Sequence, residues 1–527
     1  QMILHKQRMN VRVTTFLFML LFFSSAKIVI LVLFRTFAQL IWRVMISIDR
    51  LKSLKPEVSS LFVLKRCGQT QVESKILSDD LLNFVNREAE ENSRTFFAFN
   101  KLTHWEIVAI VDECDTAYKQ VEKLRKLGGK LLDFCDNEYI KHLQFVSNLS
   151  KEEVLGFVEG MLLASYTFDS YKTDPKRLIH PFDKLSVINP EVEMQDIERL
   201  SIIAGAVEKC KDLVNEPYCS LNAEGLAAAF VNMSHEAGID VEVWHKDRIE
   251  KEKMGGLLAV NKGSVDPPTF TIMRYNPNDA VNSQPIVLVG KGLVYDTGGL
   301  NLKPGDYMND MKEDMAGAAM MASAIYAVAC LGLPVNIIGL FPATDNRPCG
   351  NAYASGDIIN MYDGTNVEVV NTDAEGRMIL ADALAYAKGL SPELVVDAAT
   401  LTGAAARAIG SFGIASVQQK AEQYMSLLKQ SGETVYERIA EFPFWEEYDE
   451  LIKSDIADIK NCGAAEAGMI TAGKFLAHFT DYPYIHLDIA GVAMFDKKRD
   501  YTGKGASGYG VRLIVDFLET LASNSKK

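Results

Sequence analysis

From about residue 197 to the C-terminus the chain repeats one pattern. A short apolar run rich in β-branched residues is followed by a longer segment with apolar residues at helical spacing. "PIVLVG" (285–290) is apolar throughout, as a strand buried on both faces must be. "MAGAAMMASAIYAVACLG" (315–332) comes next and is crowded with small residues that suit close helix packing. "VNIIGLFPA", "VEVV" and "ELVVDAA" read as further strands and "RMILADALAYAKG" as a helix. Alternation of this kind predicts an α/β fold with a mostly parallel central sheet flanked by helices. In such sheets ligands sit beyond the carboxyl ends of the strands.

At 527 residues the chain has material for more than one domain. We expect a smaller N-terminal α/β domain over residues 45–172. There "SSLFVLKR", "RTFFAFNK" and "WEIVAIVD" read as strands, and "DTAYKQVEKLRKLGGKLL" and "KEEVLGFVEGMLLASYTF" as helices. Residues 173–196 hold three prolines and no sustained period, which reads as a domain connection. A larger α/β domain then spans 197–527, opening on a helix from near Glu198 to about Val214.

Residues 1–44 do not match the rest. The stretch 13–34, "VTTFLFMLLFFSSAKIVILVLF", has Lys27 as its only charge and is long enough to cross a bilayer. This extension carries six basic residues and no acid, so the body is more acidic than the formal net charge of −14. Two readings stand: a membrane anchor, or a start that really lies at Met45, which we favour. An acidic body argues against nucleic acid as a partner. The 8 cysteines are scattered, with no C-x-x-C pair; this suggests neither a zinc knuckle nor a disulfide framework and fits the reducing cytoplasm.

Chemistry concentrates in two segments. "VEVVNTDAEGRM" (367–378) sets Asp373, Glu375 and Arg377 at every second position. After "PIVLVG" come Lys291, Asp296, the pair Gly298-Gly299, Lys303 and, at the mouth of the small-residue helix, Asp314. Both segments follow apolar runs, and consecutive elements of such units are usually spatial neighbours. Four carboxylates cannot crowd together unpaired. Either cations balance them or they point apart into solvent. The P-loop and dinucleotide patterns are absent after this strand. Taken alone, D-x-E-x-R is a common solvated turn; the two segments together are more specific.

The blocks "VGKGLVYDTGGLNLKP", "MKEDMAGAA", "NTDAEGRMILADAL", "DAATLTGA" and "HLDIAGVA" resemble the signature of the leucyl aminopeptidase family, the two-metal hexameric peptidases. The resemblance covers roughly residues 195–520. It implies that Lys291, Asp296, Asp314 and Glu375 hold a tightly bound metal. Asp296, Asp373 and Glu375 would hold a readily exchanged one. Lys303 then matches the catalytic lysine and Arg377 the arginine that cradles a bicarbonate serving as general base. Leu401 and Gly403 match backbone positions that hold substrate. Met311, Thr400, Ala490 and Ala493 match the pocket for the first side chain, and the small Ala493 argues for a broad apolar preference.

The implied activity is removal of the N-terminal residue from peptides, with two divalent ions (zinc, manganese or magnesium), bicarbonate and a homo-hexamer. Two rivals remain open at this point: another two-metal hydrolase such as a phosphoesterase, and a catalytically idle regulatory or DNA-binding relative. No histidine lies near either motif; His486, in "YIHLDIAG", reads as structural.

Overall fold

Two twisted sheets organise the chain, and the strand patterns explain which residues enter each. The computed structural model describes residues 46–68, 71–74, 76–174 and 181–525; the apolar extension 1–44 lies outside the described residues. The first sheet has six strands: β1 (Ser47–Arg50), β2 (Ser59–Arg66), β3 (Phe96–Asn100), β4 (Trp105–Asp112), β5 (His142–Ser147) and β6 (Lys184–Ile188), in the order β1-β6-β5-β2-β4-β3. All neighbours are parallel except β3, which runs antiparallel at the edge. Helices α1 (Ala117–Asn137) and α2 (Lys151–Ala164) bury their apolar residues against it. Ser150 and Glu153 form a reciprocal capping box that starts α2.

The stretch 173–196 is not a plain connection. It contains β6, which inserts between β1 and β5, and the first residues of α3 (Met194–Asn215). The helix begins earlier than its apolar period suggests because Asp196 accepts the backbone N–H of Glu193 at 2.8 Å, an acidic cap that a search for hydrophobic spacing passes over.

The second sheet has nine strands: β7 (Asp240–Trp244), β8 (Thr269–Tyr275), β9 (Ile286–Gly290), β10 (Gly292–Asp296), β11 (Ile337–Asn346), β14 (Leu394–Ala399), β15 (Ile414–Gln419), β16 (Ile439–Glu441) and β18 (Tyr484–Asp488). The order is β16-β15-β18-β14-β9-β11-β8-β7, with β10 beside β11. Its centre is parallel and fully buried, as "PIVLVG" requires. Helices α4 (Ala316–Cys330) and α5 (Glu375–Lys388) pack on it within two separate apolar clusters. The short strands β12 (Ile358–Asn360), β13 (Asn366–Glu368) and β17 (Ile459–Lys460) form a separate ribbon.

Two expectations change here. "VEVV" does not join the main sheet; its strand is β13 of the ribbon. Asn366 is exposed and Val367 buried, the alternation of a strand with one wet face. Asp296, expected only to follow the strand "PIVLVG", itself ends a second strand. The ten-residue β11 is shared lengthwise: β9 pairs with Ile337–Leu340 and β10 with Ala343–Asn346. Lys291 stands at the step between them, its N–H donating to Ala398 O and its carbonyl accepting from Ala318 N, both at 3.0 Å.

A buried ionic network joins the two sheets' helices. Glu159 on α2 takes Arg125 of α1 and Arg512 of the C-terminal α6 (Val511–Asn524). Arg512 continues to Glu437, which also accepts the N–H groups of Gly510 and Leu513. Burial would raise the Glu159 pKa, but the two guanidiniums more than offset this and hold it at about 2. A depressed folded value means a contribution that is complete above the ordinary glutamate range and is lost as pH falls towards 2. Glu159→Gln leaves two guanidiniums facing each other. It is expected to cost about 3–5 kcal/mol at neutral pH and to flatten the fall in Tm below pH 5, as read by thermal unfolding across pH.

Candidate metal centre

The carboxyl ends of β9, β14 and β18 lie side by side, with Gly290 opposite Ala398 and Ala399 opposite Asp488. This register delivers Lys291 and Thr400 to one place. Asp296 arrives at the end of β10, Asp314 on the single turn Met311–Met315 that leads into α4, and Glu375 at the first residue of α5. One oxygen from each of Asp296, Asp314 and Glu375 lies within 4.8 Å of the others, and all three residues are buried. The two acidic segments of the sequence therefore meet, as expected from their places at strand ends.

Two lysines hold the cluster. The Lys291 ammonium donates to Asp314 Oδ1 at 2.7 Å and to the Thr400 carbonyl at 3.0 Å, and pairs with Glu375 Oε1 at 3.0 Å. Lys303 sits between Asp296 Oδ2 and Asp373 Oδ1, 2.7 Å from each, with 14% of its side chain exposed. Gly298 and Gly299 have φ of +86° and +62°, and a Cβ on Gly298 would meet Asp373 Oδ1 at 2.8 Å. The loop that carries Lys303 over the site therefore needs glycine at this point.

The electrostatics match the geometry. Burial and then the neighbouring Asp296 raise the pKa of Asp314, Asp373 and Glu375 above their ordinary values. Burial pulls Lys291 and Lys303 down, yet the surrounding carboxylates pull both above the ordinary lysine value. Four carboxylates against two ammoniums leave an excess of negative charge in a buried place. Among the described residues Asp314 Oδ2 and Glu375 Oε2 are buried without a hydrogen-bond partner, and orphaned carboxylate oxygens of this kind are costly. The donor set, oxygens plus one lysine nitrogen, fits hard or borderline divalent cations.

Arg377, two residues beyond Glu375, is buried and directs one N–H to the Asn461 carbonyl at 2.7 Å. Its Nε finds no partner among the described residues, and burial lowers its pKa. Thr400 donates its hydroxyl to Asp314 at 2.7 Å. Leu401 and Ala490 both donate N–H groups to Asp488 Oδ1 at 3.2 Å. Gly403 is exposed at the start of the short helix α7 (Gly403–Ile409). Met311 is half-buried on the turn before Asp314, and Ala493 is buried in the core cluster that also holds Met315. His486 is fully buried with Nδ1 2.8 Å from Asp397.

Four positioning groups escape a search for charged motifs. Asn346 donates to Asp296 Oδ1 at 2.9 Å and to the Thr372 carbonyl at 3.0 Å. Tyr353 donates to the same carbonyl at 2.8 Å. Asn461 accepts from Val370 and Asn371, and Asp488 ties the turn after β14 to the turn after β18. Neutral amides and a phenol in scattered segments carry no spacing signal; only Asp488, inside "HLDIAGVA", lay in a quoted block.

Gly376 has a role of the same kind. A Cβ there would fall 2.3 Å from Lys291 Cε and 2.6 Å from its Nζ. The bare backbone between Glu375 and Arg377 is thus the slot through which Lys291 reaches the cluster. Gly376→Ala is expected to displace Lys291 and weaken divalent-ion binding about ten- to hundredfold, while the folded protein persists. Calorimetric metal titration alongside circular dichroism checks this; undiminished affinity would contradict the slot.

The profile of the cytosol aminopeptidase family, catalytic domain, matches residues 208–515. A probable cytosol aminopeptidase of Geobacter sulfurreducens is 42% identical over 407 residues, covering 76% of this chain and 82% of the relative. One of Chlorobium limicola is 45% identical over 377 residues, covering 69% of this chain and 74% of the relative. Among solved structures, the bottromycin maturation enzyme BotP superposes with a TM-score of 0.77 at 27% identity, covering 88% of this chain and 100% of that one; its complex with Mn gives 0.78. The chain belongs to the cytosol aminopeptidase family and is accordingly a hydrolase of the metallo-exopeptidase class.

Proposed function

We propose that this enzyme removes N-terminal residues with apolar side chains from peptides at the Asp296–Asp314–Glu375 cluster. The observation that carries the reading is the convergence of those three buried carboxylates within 4.8 Å, with unpartnered oxygens on two of them. Lys291, Asp296, Asp314 and Glu375 would hold one divalent ion, and Asp296, Asp373 and Glu375 a second. Bound there, the pair would supply Lewis acidity and bring the pKa of a bound water down towards about 7.

The remaining steps fall to the chain itself. An acidic pocket draws the free amino end of a peptide and repels its carboxyl end, which supports exopeptidase cleavage from the N-terminus. Lys303 stays protonated between Asp296 and Asp373 and offers its remaining donor to charge growing on the scissile carbonyl oxygen. Arg377, with Nε unpartnered among the described residues and one N–H fixed by Asn461, would hold a bicarbonate, which would supply general-base chemistry there. Leu401 and Gly403 orient the substrate backbone. Thr400, Met311, Ala490 and Ala493 shape the space for the first side chain.

Zinc, manganese and magnesium all suit these donors, and the relative solved with Mn favours trying manganese first. All eight cysteines are free thiols, which supports a cytoplasmic enzyme; among the described residues no helix is long and apolar enough to cross a membrane. A homo-hexamer is the expected assembly.

Lys303→Ala should lower kcat on leucine anilide by about two to three orders of magnitude with metal content retained; a loss under tenfold would remove its assigned role. A parallel aryl phosphate assay separates peptidase from phosphoesterase chemistry.

Lys291 can ligate a metal only as the neutral amine, and the carboxylates around it favour the ammonium in the metal-free site. Metal uptake therefore expels this proton, so affinity rises with pH. Titration calorimetry in buffers of different ionisation enthalpy should register proton release at neutral pH. Uptake without release would exclude Lys291 as a ligand.

A further inference from the structure

Arg407 lies one helical turn beyond Gly403 on α7, exposed, and folds back over the start of its helix: its Nη1 is 3.1 Å from where a Gly403 Cβ would stand. Among the described residues it forms no ion pair or hydrogen bond. The other arginines of this region are engaged: Arg499 holds Ser411 and stacks over Phe412, and Arg438 covers Tyr436. Gly403 is three residues from Thr400, whose hydroxyl touches Asp314. A chain extends at most about 3.3–3.6 Å per residue, so the Cα atoms of Thr400 and Gly403 are no more than about 11 Å apart. A guanidinium unpaired among the described residues therefore stands over Gly403, a short chain segment from the carboxylate cluster.

Resting on the aminopeptidase reading above, we propose that Arg407 is a specificity-determining residue that binds a carboxylate on the leaving side of the substrate. The same extension limit puts the carboxylate of a dipeptide about 7 Å from its amine and that of a tripeptide about 11 Å away. A short peptide with its amino end at the acidic cluster thus brings its C-terminal carboxylate to the neighbourhood of Gly403. An acidic side chain on the second residue presents the same chemistry there. The guanidinium offers paired N–H donors to either, and replaces a repulsion that the acidic pocket would otherwise exert on both. Because no acidic partner occupies it, the substrate does not have to displace one. A surface ion pair of this kind changes affinity by about fivefold at most and weakens with salt.

The test uses the metal-loaded enzyme and compares kcat/KM within each variant, so differences in folding or metal content cancel. One pair is Leu-Gly against Leu-Gly amide; the second is Leu-Asp amide against Leu-Asn amide. The expected wild-type result is a preference for the carboxylate member of at least one pair, about three- to fivefold, expressed in KM and reduced at high salt. Arg407→Ala abolishes it, Arg407→Glu inverts it and Arg407→Lys retains part of it. A preference confined to the first pair assigns the C-terminal carboxylate, and one confined to the second assigns the side chain. Equal ratios in wild type and Arg407→Ala, with the amides still cleaved, overturn the role of Arg407 alone. No cleavage of any leucyl substrate overturns the aminopeptidase reading and this inference with it.

Discussion

Everything at the end of the central sheet answers one electrostatic constraint: Asp296, Asp314 and Glu375 are brought together where water cannot solvate them, with the half-buried Asp373 beside them. Two lysines, each shared between two carboxylates, neutralise part of that charge and leave a deficit that divalent ions would remove. The lysines are not interchangeable. Lys291 is buried and enters through the backbone of Gly376, whereas Lys303 is partly open on a glycine-shaped loop. The difference in access separates a group suited to fixing a metal from one suited to meeting substrate.

Such a cluster persists only if its members cannot turn away from one another. Asp296 is held by the Gly298 N–H and the Asn346 amide, and Asp314 by Lys291 and Thr400. Asp488 binds the turns after β14 and β18 into one wall. Apart from the Lys291–Asp314 ion pair these contacts are neutral or singly charged, and each converts a flexible turn into a fixed support. The stability spent on repulsion at the centre is offset by the buried parallel strands beneath it and by the Arg125–Glu159–Arg512–Glu437 network that fastens the first sheet's helices to the second.

The position of Asp373 and Glu375 illustrates how topology enters. They descend from a small ribbon beside the main sheet, not from one of its strands, so their approach is lateral. The main sheet supplies Lys291, Asp296 and Thr400 from below, and α5 begins where the two directions meet. The exposed start of α7, with Arg407 folded over Gly403, follows three residues after Thr400.

Much of this was legible in the residues alone. The all-apolar strands, the helical periods and the charged blocks 291–314 and 373–377 specify a parallel α/β sheet and an acidic site at its strand ends, because burial on two faces and mutual repulsion of carboxylates are local, compositional facts. Other features belonged to tertiary structure. The insertion of β6 into the first sheet, the split of β11 between β9 and β10 and the separate ribbon of β13 depend on which edges find partners, and short strands carry little signal of that choice. Asn346, Tyr353 and Asn461 acquire their roles only by contact with backbone groups far away in sequence. The Gly376 slot and the fold-back of Arg407 over Gly403 are matters of distances under 4 Å. One-dimensional spacing names the charges that must be reconciled; the packed chain decides which neighbours reconcile them, since hydrogen bonds and steric fit act only between atoms already brought together.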